Sequence, residues 1–210
     1  MTRSVLAAVL GAAIIAGAAG ASGGPSLLDP SSLNATAPAT FNARFTTTHG
    51  TFVVQVTRSW APKGADRFYN LVLNHFYDNQ PLFRVLPGFV AQWGISSVPA
   101  IAKVWRFAYI KDDPRTHNDA KGTLDFANAG ANTRTTQVFV NLAGNHILSH
   151  YPGFAPIGTI TSGFSVFKHL YHGYGEDPSN HQFEITKKGG RWVHKHYPKL
   201  DWIKRARIVP

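Results

Sequence analysis

The tightest constraint on this chain is the stretch 82–94, Leu-Phe-Arg-Val-Leu-Pro-Gly-Phe-Val-Ala-Gln-Trp-Gly. Apolar alternation on either side of Pro87-Gly88 reads as two short strands with a break between them, since proline cannot feed a central ladder and glycine takes the turn. A single cation, Arg84, stands among Phe83, Val85, Leu86 and Phe89. A guanidinium stays charged and is rarely buried without a partner. Two readings are open: Arg84 lies on the solvent face of a half-buried strand, or it lines an apolar pocket as a fixed donor.

With 210 residues, 44% of them hydrophobic, the chain can bury a substantial single core. It has no cysteine, so the fold must hold without disulfides, and thiol chemistry, a cysteine-ligated metal and a cysteine-linked lipid anchor are all excluded. The first residues form a separate unit. A short basic start, Thr2-Arg3, precedes an Ala- and Gly-rich apolar run from Val5 to Ala19, and Ala19-Gly20-Ala21 fits a small-residue cleavage site. We read 1–21 as a secretory signal peptide; an uncleaved anchor is the alternative, disfavoured because the run is weakly hydrophobic for a span. The expectation is an exported protein, periplasmic or secreted, with no stable membrane insertion after cleavage. Residues 22–40, rich in Gly, Pro, Ser, Ala, Asn and Thr, read as a flexible linker, with the folded domain at 41–210.

Formal net charge is +10, from 21 Lys+Arg against 11 Asp+Glu, and eight of the basic residues follow Thr186. Such a patch could meet an anionic surface or nucleic acid. For an exported chain it reads as a solvated face, and no nucleic-acid partner is expected.

Along the domain, 42–47 and 51–57 read as a hairpin, with Phe52, Val54 and Val56 alternating against Val53, Gln55 and Thr57. Pro62 then opens a helix whose Phe68, Leu71 and Val72 form one apolar stripe, with Lys63, Asp66, Arg67 and Asn70 facing out. Between Gly94 and Lys121 the periodicity is poor, and the segment reads as a long connection. Strands are expected at 122–127, 136–141, 156–160 and 203–209, a second helix at 165–172, and a short helix at 191–196. Many short strands and few helices suggest a mainly β fold, a closed antiparallel β-barrel capped by two helices.

Three stretches in this order carry a resemblance. Phe-Arg-Val-Leu-Pro-Gly-Phe-Val-Ala-Gln at 83–92, Ala-Asn-Ala-Gly at 127–130 with Asn132-Thr133, and Gln-Val-Phe at 137–139 resemble the signatures of the cyclophilin family of peptidyl-prolyl cis/trans isomerases. The resemblance spans roughly 41–209, and Gly173-Tyr174-Gly175-Glu176 with 197–201 resembles a bacterial exported branch. It implies that Arg84 is the catalytic arginine. Phe89, Val90, Phe139 and Leu148 become walls of a proline pocket, Gln92 a polar orienter beside Arg84, Ala127 and Asn128 main-chain contacts for substrate, and Gln137 a contact on the pocket floor. Two positions depart from the family pattern: Ile147 where a rim tryptophan is common, and Phe154 where a histidine is common. Ile147 lacks an indole donor, which argues against cyclosporin binding; Phe154 keeps an apolar wall for proline.

The implied activity needs no acid, base, nucleophile, metal or cofactor. His169 with His172 and His194 with His196 have spacings that could ligate a metal, but no acidic cluster lies near them in sequence. The functional expectation is a monomeric isomerase acting on proline-containing polypeptides and assisting their folding. The alternatives are a proline-directed chaperone or binding module with little activity, and a binder of anionic surfaces through the basic tail.

Overall fold

A computed structural model describes residues 26–210. The expected signal peptide, 1–21, lies outside the described residues. The chain forms β1 Thr40–Thr47, β2 Gly50–Thr57, α1 Pro62–Leu73, β3 Gln80–Pro81, β4 Arg84–Val85, β5 Val90–Trp93, α2 Pro99–Trp105, β6 Thr123–Phe126, β7 Val138–Asn141, β8 Gly158–Ser162, α3 Asp177–Asn180, α4 Gln182–His196 and β9 Trp202–Val209.

All nine strands join one antiparallel sheet in the order β3-β9-β1-β2-β8-β6-β7-β5-β4. The closed barrel expected from the sequence needs correction. No ladder joins the two ends of this order among the described residues, and the sheet is a curled half-barrel. Its terminal strands β3 and β4 are nevertheless consecutive in the chain, so Leu82 and Phe83 join the edges covalently instead. Proline at β3 suits such an edge, where no ladder donor is needed.

The core fills the concave side. Phe45 and Phe52 are register partners on β1 and β2, and their rings stack at 5.0 Å. Phe68 of α1, Tyr77 and Trp93 pack around Phe45. Phe68, Leu71 and Val72 are fully buried, as the helical stripe requires.

The other face of α1 is not solvated as expected. Asn70 is buried and trades two hydrogen bonds with the backbone of Ala35, at 3.0 and 2.7 Å. Asp66 accepts from the Ala37 amide and pairs with Arg58, and Arg67 donates to the carbonyls of Ala108 and Thr135. Residues 26–40, read as a linker, therefore dock on α1, with Leu33 and Ala37 buried and Leu27 accepting from the Trp105 indole at 2.8 Å. Their low hydrophobicity concealed this, because the docking uses backbone amides that any residue supplies.

Three helical expectations also change. The second helix at 165–172 is a 3-10 turn, Phe164–Lys168, that still buries Val166 and Phe167, with Leu170 buried just beyond it. Spacings of three suit that tighter geometry as well as an α-helix. The connection 94–121 contains α2, a short helix opened by Pro99 and anchored by the buried Trp105. The short helix at 191–196 is the end of the longer α4, bent at Gly189, whose φ of 71° and close approach to the Ser97 carbonyl exclude a Cβ. Helices α2 and α4 cover a smaller cluster built on Phe83, Ile95, Ile185 and Val193. No helix among the described residues is long and apolar enough to cross a membrane.

Candidate active site

Strand register assembles the site. Arg84 on β4 is the partner of Gln92 on β5, and Gln92 in turn is the partner of Phe139 on β7. Opposed residues of antiparallel strands point to the same face. One row across three strands therefore carries Arg84, Gln92 and Phe139 outward, while Val85, Trp93, Val138 and Val140 enter the core. The turn at Pro87-Gly88 has Gly88 at φ 76°, and the Leu86 amide bonds to the Val90 carbonyl at 2.9 Å.

The outward face forms a cleft of about 330 Å³. Val90, Phe139 and Leu148 form its buried floor, with Phe89, Ala127 and Phe154 packed against them. Phe154 meets Phe139 edge-to-face at 5.9 Å. Arg84 stands at the polar end of the cleft with its guanidinium carbon 5.4 Å from the centre of the Phe89 ring. Both open readings of Arg84 are thus partly met: its side chain is 24% exposed, yet it lines a cleft with an apolar floor as a held donor.

Nine of the residues singled out in the sequence line this one cleft: Arg84, Phe89, Val90, Gln92, Ala127, Asn128, Phe139, Leu148 and Phe154. Gln137 lies in the adjoining cleft, behind Gln92, rather than on the floor. Ile147, the expected rim residue, is 60% exposed on a 3-10 turn, His146–His150, and lines neither cleft. That turn directs Leu148 inward, and its neighbour in sequence then faces away. The Ala127 amide is already engaged by the Gln137 carbonyl at 3.0 Å and is not free to serve a ligand. The Asn128 Nδ2, by contrast, is buried without a partner at the cleft wall.

Four lining residues were missed: Glu176, Ser179, Asn180 and Gln182. They come from α3, the residue before it and the first residue of α4, 92 residues beyond Arg84 in the case of Glu176. The only sequence signal was an acidic pair, Glu176-Asp177, after the Gly173-Tyr174-Gly175 turn. The Arg84 hydrogen bonds hold the Glu176 carboxyl below the usual carboxylate value, aided by the Ser179 hydroxyl and opposed by burial.

Among the described residues no group of three or more His, Cys, Asp or Glu is placed to hold a metal. His194 and His196 instead stack on Trp202 and Trp192, at 4.0 and 4.3 Å.

Residues 42–190 match the family model for cyclophilin-type peptidyl-prolyl cis-trans isomerases. The chain belongs to that family. It is a peptidyl-prolyl cis-trans isomerase by that membership, and curated relatives agree. A Schizosaccharomyces pombe peptidyl-prolyl cis-trans isomerase is 30% identical over 138 residues, covering 61% of this chain and 84% of the relative. A Gibberella zeae isomerase-like protein is 29% identical over 140 residues, covering 62% and 82%. In fold, the crystal structure of a Cryptosporidium parvum cyclophilin-type isomerase aligns with a TM-score of 0.58 at 18% identity, over 81% of this chain and 98% of that one. The family match includes the row Arg84–Gln92–Phe139 and also Glu176 and Gln182.

Proposed function

We propose that the cleft is the isomerisation site, with Arg84 as its catalytic residue, and that the enzyme acts on proline-containing polypeptides outside the cytoplasm. The observation that carries the site is a charged donor, Arg84, held beside the apolar floor that Val90, Phe139 and Leu148 give the cleft.

An X-Pro bond turns slowly because the nitrogen lone pair is delocalised into the carbonyl, giving a barrier of roughly 18–20 kcal/mol. At the twisted transition state that lone pair is localised and accepts a hydrogen bond. A permanent cation aimed at the prolyl nitrogen therefore binds the twisted state better than either planar one. Val90, Phe139, Leu148 and Phe154 clamp the ring while the preceding carbonyl swings, and they lower the local dielectric around Arg84.

The test is the cis-to-trans rate of an Ala-Pro-Phe peptide. Arg84→Ala is expected to cost about 3–4 kcal/mol, roughly a hundred- to thousandfold, with the fold intact. A folded wild-type protein without activity would sink the assignment.

Export is supported by the basic start, the apolar run 5–19 and the small residues at 19–21. Mass analysis of protein expressed from the full reading frame in a secreting host should find an N-terminus near Ser22. Recovery of only the full-length chain in the cytoplasm would refute export.

A further inference from the structure

Arg84 is held from two sides, on one directly by Glu176 and on the other by Gln92, which is linked through Gln137 to Gln182. Glu176 accepts from Nε at 2.8 Å and from Nη2 at 2.6 Å, a bidentate pair along one edge of the guanidinium. On the other side Nη1 donates to the Gln92 Oε1 at 3.2 Å. Arginine has only donors, so Gln92 must present its oxygen to it and its Nε2 outward. That Nε2 donates to the Gln137 Oε1 at 2.9 Å, and the Gln137 Nε2 donates to the Gln182 Oε1 at 2.8 Å. A one-directional relay therefore runs Arg84–Gln92–Gln137–Gln182, ending six residues along the chain from Glu176.

The segment 176–182 is itself held. Ser179 Oγ donates to the Glu176 Oε2 at 2.8 Å, and the Tyr197 hydroxyl donates to the Asp177 Oδ2 at 2.8 Å. Burial, and secondly Asp177, push the Tyr197 hydroxyl up to about 12, so it remains a donor at neutral pH. Of the five guanidinium N–H groups, the three bonds to Glu176 and Gln92 leave one on Nη1 and one on Nη2. Those two point away from the side edge that Glu176 holds.

We propose that Glu176 and Gln182 are positioning residues for the isomerase reaction, forming a clamp that fixes the plane of the Arg84 guanidinium so that its remaining N–H groups meet the prolyl nitrogen. The clamp rests on the assignment of Arg84 as the catalytic residue. The two bonds from Glu176 are the shortest that Arg84 makes, while Gln92 alone is a long contact. Orientation is where a clamp acts: a misplacement of about 1 Å costs on the order of a hundredfold in rate. The side chain of Glu176 is 48% exposed, so its removal leaves the core untouched.

Kinetics of the wild type, Glu176→Ala, Glu176→Gln, Gln182→Ala, Arg84→Ala and the Arg84→Ala/Glu176→Ala double variant decide the matter, with melting temperature as the control for folding. Glu176→Ala is expected to lose about tenfold in kcat with KM little changed, Glu176→Gln to recover part of this through its one remaining oxygen, and Gln182→Ala to lose about threefold. The double variant should be no slower than Arg84→Ala alone, since a clamp with nothing to hold has no effect. Equal or faster turnover in Glu176→Ala, with Arg84→Ala slow, would overturn the clamp and make Glu176 a competitor for the guanidinium. A further loss in the double variant would overturn it too. An inactive folded wild type would remove the site assignment itself, and the clamp with it.

Discussion

The two walls of the cleft are built by different physics. The sheet wall, Arg84–Gln92–Phe139, is placed by backbone ladders and strand register, and its far side is the hydrophobic core. The opposite wall, Glu176 to Gln182, is placed by side-chain hydrogen bonds on a short helical turn and is partly solvated. A ladder fixes position at the cost of unfolding the sheet to change it; a set of side-chain bonds fixes only direction. We therefore assign binding and charge to the sheet wall and aim to the other. Their carboxyls differ in the same sense. Asp125, the register partner of Phe139 on β6, is fully buried with one oxygen unpartnered, and burial raises its pKa well above the ordinary value. Glu176 is shifted down by its cation.

The sharpest way to break this comparison is Phe139→Ala. Removing a buried aromatic from the sheet wall should cost about 3–5 kcal/mol in denaturant unfolding, together with most of the activity. Glu176→Ala should leave that unfolding curve nearly unchanged. If the two cost the same stability, the walls are not distinct.

A smaller effect separates the carboxyls. Asp125 keeps its proton in the folded state above the pH at which the unfolded chain releases it, so the folded state binds more protons and stability falls as pH rises past the unfolded value of 3.8. Asp125→Asn, which mimics the protonated acid, should match the wild type in melting temperature near the bottom of this window. It should exceed the wild type progressively toward neutral pH. A constant offset between the two curves would mean that the Asp125 carboxyl is not held protonated. Glu176 has the opposite sign: its contribution is present above the unfolded value of 4.5 and fades as pH falls through its depressed value.

Much of the sheet wall was legible in the sequence. Period-two alternation locates Phe52, Val54 and Val56 on the core face of β2, and Pro62 with the stripe 68, 71 and 72 locates α1. The three motifs also bring nine residues to one cleft. Less was legible where the partner is remote or the pattern too short. Helix α2 has seven residues, too few to show a period, and the docking of 26–40 on Asn70 depends on backbone groups that carry no sequence signature. Ile147 follows the same logic: on a single turn, a shift of one residue decides which of Ile147 and Leu148 faces in.

By itself the sequence determined what repeats along the chain: the strands, the main helix, the absence of thiol chemistry and an arginine set among apolar residues beside a Pro-Gly turn. Those follow from steric and hydrophobic preferences that act over a few residues. Only the tertiary structure decided that the sheet stays open at its ladder and is joined by two residues of chain, and that Arg84 is held by Glu176 and, through two glutamines, by Gln182. Side chains separated by 92 positions meet only once the chain has folded. The hydrogen bonds that then form are selected by geometry that no local pattern encodes.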